Sequence, residues 1–205
     1  MASLDALLPF VLVHVPSAPH PLAYQCMRLA ARELCRRTFV WRAWLDCEQA
    51  ADPVTEFTFT VPDDAELVRF EKATLDDQPL TVASSNAQDR DWVAGAEDID
   101  QSGITADLVT FTVTGAEVDG EVKARVALMP TLDATTVPNL LATRHLEAVA
   151  SGAAARLLRT KGAEFYDLAA SAVLRTEFED GVADAARSVY KAQRAENPRP
   201  NAPQF

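Results

Sequence analysis

Chemistry in this chain would have to come from three histidines, three cysteines and a few adjacent carboxylates. His14 and His20 have five residues between them, including Pro16 and Pro19, and neither joins a cysteine at a zinc-binding spacing. His145-Leu146-Glu147 lacks the second histidine of a metalloprotease helix. Cys26 and Cys35 fall on one predicted helix with no adjacent histidine to generate a thiolate, so both read as core residues. Asp98-Ile99-Asp100-Gln101-Ser102-Gly103 matches the start of a calcium loop, with oxygen ligands at positions 1, 3 and 5 and Gly at 6. Position 12, which needs a bidentate Glu, is Val109, and Asp107 falls at a non-ligand position, so a polar turn is the better assignment. Asp63-Asp64 and Asp76-Asp77 sit in proline-flanked turns with nothing nearby to raise one carboxyl for acid catalysis. The chain has no GxGxxG, GxxxxGK[ST] or GxSxG, and only seven glycines in all. No catalytic residue, cofactor or metal is expected. An interaction or assembly role is favoured over an enzyme.

The elements that position these residues can be read from periodicity. Ser3 or Asp5 can cap a short helix through Leu7, Leu8, Val11 and Leu12. The run Ser17-Ala18-Pro19-His20-Pro21 stops the chain and restarts it. From Leu22 to about Thr38, Ala23, Met27, Ala30, Ala31 and Leu34 recur at helical spacing. The opposite side carries Arg28, Arg32 and Arg36 at i, i+4 and i+8, a basic stripe that is either a solvated face or a subunit contact. Beyond Phe39 the pattern turns to strands. Glu56 to Val61 alternates strictly, and further strands are predicted over 67–74, 108–114 and 122–128, with 83–102 as a long polar loop. Pro138 opens a helix predicted to continue to about Leu158, with Gly162 as its breaker, and a last helix is predicted over 164–195. The segment 196–205 carries three prolines and favours an extended chain.

The predicted organisation is α+β. A helical bundle built from 1–42 and 134–195 carries an inserted small antiparallel β-domain over 43–133, and 196–205 forms an extended Pro-rich tail. The bundle must draw on both ends, because neither has enough apolar surface to stand alone.

Charge follows the same division. The 205 residues carry a formal charge of −11, but residues 51–120 alone hold −13 and the two flanks are each +1. An acidic chain does not coat nucleic acid, since phosphate binding wants clustered Lys and Arg. An odd number of scattered cysteines excludes a disulfide framework and fits a reducing cytosol. The uncharged stretch from Ala6 to Met27 contains four prolines, so neither a membrane span nor a signal peptide is expected there.

Several segments resemble one family. Leu4-Asp5-Ala6-Leu7-Leu8-Pro9-Phe10-Val11-Leu12 leading to Val15-Pro16-Ser17-Ala18-Pro19 resembles the opening of the head-to-tail adaptor (connector) proteins of tailed bacteriophages. The helix with Ala30-Ala31-Arg32-Glu33-Leu34-Cys35 running into Thr38-Phe39-Val40-Trp41-Arg42 is similar to that family too. So is Val126-Ala127-Leu128-Met129-Pro130-Thr131 before an Ala-rich helix. The resemblance implies a helical bundle with an inserted β-domain. It also implies a ring of copies, usually twelve, in the virion neck, assembled from protein made in the host bacterial cytoplasm. Such a ring sits between the portal protein and a tail or nozzle protein, and DNA passes through it without sequence-specific binding. The segment expected to dock on the portal holds Arg187, Lys191, Arg194, Arg199 and Phe205, and Arg28, Arg32 and Arg36 are the candidate subunit contact. The alternatives are another neck or tail-completion protein, or a small-ligand or calcium-binding module.

Overall fold

The computed structural model describes residues 1–49, 56–76, 78–80, 101–104, 110–114 and 121–196. The chain divides into two compact units. One joins Met1–Trp41 to Met129–Phe205, and the other is Arg42–Leu128. The class is α+β, with five α-helices and nine strands among the described residues.

In the first unit the chain begins with strand β1 (Ala2–Ser3) and a 3-10 turn, Leu4–Ala6, whose N-cap Ser3 accepts a hydrogen bond from the Asp5 N–H. Helix α1 (Leu8–Leu12) follows, with Pro9 in its first turn, where a missing N–H costs nothing. Helix α2 (His20–Thr38) buries Ala23, Met27, Ala30, Ala31 and Leu34, the positions that the 3.6-residue period selects, together with Cys26 and Cys35. It ends because Phe39 adopts a left-handed conformation, φ 53°, and its N–H closes on the Cys35 carbonyl at 2.8 Å.

The return segment forms strand β9 (Thr136–Val137), which pairs with β1, and then helices α3 (Asn139–Thr143), α4 (Leu146–Leu157) and α5 (Leu168–Glu196). The single helix predicted from Pro138 to Leu158 is therefore two. His145, at φ −119° and ψ 19°, interrupts the helical backbone and becomes the N-cap position of α4. Helix α5 begins at Leu168 rather than 164, because Asp167 caps it by accepting from the Ala170 N–H at 2.9 Å.

Helix α4 packs against α1, α2 and α5, and nearly its whole length is buried. Small side chains make this possible. A methyl on Gly152 would lie 2.5 Å from the Phe178 ring of α5, and one on Gly181 of α5 would lie 2.5 Å from the Ala148 Cβ of α4. Phe178 is fully buried at this contact.

The second unit is built from strands β2 (Arg42–Gln49), β3 (Glu56–Phe59), β4 (Ala65–Leu75), β5 (Gln78–Leu80), β6 (Gln101–Ile104), β7 (Thr110–Thr114) and β8 (Val122–Pro130), the last of which runs into the first unit. Their order is β5-β4-β8-β2-β3-β7-β6. Strand β2 changes partner along its length: Arg42 to Asp46 pair with β8, and Cys47 to Gln49 pair with β3. That handover curls the sheet. Phe57, Phe59, Phe70, Ala73, Val122, Ala124 and Val126 form its core, and the period-2 pattern of 56–61 puts Phe57 and Phe59 inward and Thr60 outward. Most of the predicted loop over 83–102 lies outside the described residues, although Gln101 and Ser102 belong to β6.

Candidate interaction surfaces

The basic stripe of α2 divides when its contacts are followed. Arg28 Nε donates to the Ala134 carbonyl at 2.7 Å, and an Arg32 terminal N–H donates to the Pro130 carbonyl at 2.5 Å. The two side chains clamp the end of β8 and the segment after it onto α2, a use within the chain that spacing alone does not reveal. Arg36 is exposed. Arg36 is thus the stripe's outward charge, and Arg28 and Arg32 lie half-buried beside it.

On the same helix, Glu33 joins three elements. Its carboxylate accepts from Arg37 at 3.1 Å, from Arg175 of α5 at 2.8 Å and from Arg156 of α4. Glu179 completes the network, bridging Arg37 at 2.6 Å and Arg175 at 2.5 Å. Burial works to raise the Glu33 carboxyl, but the hydrogen bonds and charges of Arg175, Arg156 and Arg37 outweigh it and hold Glu33 below the usual carboxylate range. The guanidinium carbons of Arg175 and Arg156 also lie 5.1 and 5.6 Å from the Phe178 ring centroid. The network locks α2, α4 and α5 together and leaves these arginines committed within the unit.

Farther along α5, Arg187 is exposed and bonds to Asp184 at 2.5 Å, and Lys191 is exposed one turn on. These two place basic charge on one outer face of the helix. The Arg194 side chain lies outside the described residues, as do Arg199 and Phe205.

One concavity among the described residues is not signalled by the sequence pattern. A cleft of about 660 Å³ opens where the end of α1 meets the start of α5. His14, Val15 and Pro16 form one wall, and Phe165, Tyr166, Val173 and Leu174 form the other, with Glu164 and Asp167 at the rim. Around it cluster large apolar side chains left in solvent: Val13 is 76% exposed, Val173 62%, Leu168 58% and Tyr166 43%. The cleft lining is mostly apolar, with His14, Glu164, Tyr166 and Asp167 as its polar side chains. These residues come from three separated stretches, and the Phe165-Tyr166 pair just after Gly162 was the one local signal.

Nothing among the described residues groups three or more His, Cys, Asp or Glu side chains as a metal would need. Gln101, Ser102 and Gly103 of the partial calcium motif are extended and pair with β7, while Asp98 and Asp100 lie outside the described residues. Cys26 and Cys35 are buried, and burial pushes the Cys35 thiol up to about 12. His145 is held below its usual value, first by burial and then by Arg144. No helix is long and apolar enough to cross a membrane among the described residues. No protein-family model matches the chain, and a search of curated proteins returns no match.

Proposed function

We propose that the protein is a structural subunit of a bacteriophage neck. Copies form an adaptor ring, twelve-fold as is usual for such rings, beneath the portal protein and above a tail or nozzle protein. What supports this is how the two chain ends combine. Residues 1–41 and 129–205 make one compact unit, and 42–128 leave it and return as a β unit, the arrangement that the resemblance implies. Closed rings need two different surfaces on each subunit. The outward charge of Arg36 on one copy and the acidic residues 51–120 of the next are two such surfaces. The exposed basic face of α5 at Arg187 and Lys191, with Arg194 next along the helix, is the surface assigned to the portal. The −13 charge of residues 51–120 repels phosphate, so acid facing the lumen lets DNA slide through without sticking.

The test is retention of the full chain on immobilised portal protein from the same phage. Retention that falls about tenfold in Arg187→Glu/Lys191→Glu supports the assignment. A chain that binds the tail protein and not the portal is a different neck or tail-completion protein.

A further inference from the structure

The cleft at the start of α5 is rimmed by two carboxylates and walled by Phe165, Tyr166 and Val173. The same chain carries a segment of complementary chemistry at 197–205, Asn-Pro-Arg-Pro-Asn-Ala-Pro-Gln-Phe, with three prolines, one phenylalanine, one arginine and no acid. Extended proline-rich segments dock on aromatic-lined grooves because they are already ordered and lose little entropy on binding. An arginine between prolines places its charge against a carboxylate rim. Composition and charge therefore match groove to segment.

Geometry decides which copy supplies the segment. Helix α5 holds 29 residues from Leu168 to Glu196, so its axis runs about 43 Å from the cleft to the point where the segment begins. Arg199 is three residues beyond Glu196 and reaches back about 10 Å at full extension. Even Phe205, nine residues beyond, reaches roughly 30 Å. Leu174, the lining residue nearest along the helix, is about 33 Å away along the axis. Arg199 therefore cannot reach Glu164 or Asp167 of its own chain, and the segment can at most touch the Leu174 end of its own cleft.

We propose that residues 197–205 of one copy dock in the cleft at the start of α5 of a second copy, with Arg199 against Glu164 and Asp167 and the prolines and Phe205 on Tyr166 and Val173. The contact joins two different surfaces of one chain. It is therefore heterologous and propagates from copy to copy until it closes. This goes beyond the portal role and does not depend on it, because the contact forms between copies without a portal.

The experiment uses the full chain throughout. Sedimentation of wild type should show a mass that rises with concentration. Arg199→Glu/Phe205→Ala, altered in the segment, and Val173→Asp, altered in the cleft, should each weaken association by about tenfold. Val173 is exposed, so its substitution leaves α5 intact, and Tyr166→Ala provides a second cleft variant. A mixture of segment variant and cleft variant retains one good segment and one good cleft, so it should give a 1:1 dimer that grows no further. A wild type that stays monomeric to about 1 mM overturns the proposal, as does self-association that neither class of variant changes. Segment variants that associate like wild type but lose the portal overturn it as well, and assign the segment to the portal.

Discussion

Gly152→Ala tests the closest contact in the helical unit. The new methyl would lie 2.5 Å from Cδ2 and 2.9 Å from Cε2 of Phe178, well inside the distance at which carbon atoms repel. The ring has little freedom to retreat, because Phe178 is fully buried and has guanidinium groups of Arg156 and Arg175 near it. Inserting a methyl into packing of this kind costs about 1–3 kcal/mol. Replacing Gly with Ala inside a helix returns about 1 kcal/mol of propensity. The expected net loss is about 1 kcal/mol, or a fall of about 5 °C in Tm for a unit of this size. Thermal unfolding followed by helical circular dichroism measures it. Phe178→Leu removes the ring edge that the methyl meets, so the double variant should lose less than the two single variants predict together, by about 1 kcal/mol. A Gly152→Ala chain that unfolds at or above the wild-type temperature, with no coupling to Phe178→Leu, would refute the close approach of α4 to α5.

The clamp on α2 gives a second expectation. Arg32→Ala removes a charged donor from the Pro130 carbonyl and should cost about 1–2 kcal/mol in denaturant unfolding, whereas Arg36→Ala, an exposed position, should cost less than about 0.5 kcal/mol. Acid supplies a third. Glu33 has its carboxyl lowered in the folded chain, so the stability it contributes is complete above the ordinary value of 4.5 and is lost as pH falls below it toward the folded value. Glu33→Gln should therefore be less stable than wild type at pH 7, and the gap should narrow below about pH 4.5. A gap of constant size from pH 7 to pH 3 would mean that the carboxylate charge contributes nothing.

Periodicity exposed what depends on local pattern and missed what depends on distant partners. The buried face of α2 was legible because Ala23, Met27, Ala30, Ala31 and Leu34 repeat at 3.6 residues, and the Phe57–Phe59 strand because apolar and polar residues alternate. The break at His145 was not, since neither Gly nor Pro marks Thr143 to His145. The start of α5 was available in principle, because Asp167 before Leu-Ala-Ala is a good N-cap. Pairing of Ala2 and Ser3 with β9 escaped notice because two residues carry no period. For the surfaces, arginine spacing located Arg28, Arg32 and Arg36 on one stripe but could not show that the first two grip backbone carbonyls about a hundred residues away. The cleft was invisible for the same reason. Its walls, 14–16 and 164–174, meet only through the packing of α1, α4 and α5.

The adaptor role itself is tested most directly by negative-stain microscopy of the full chain mixed with the portal protein of the same phage. Rings of this protein stacked coaxially on portal rings are the expected result. Portal rings that remain bare at saturating concentrations of the chain would contradict it.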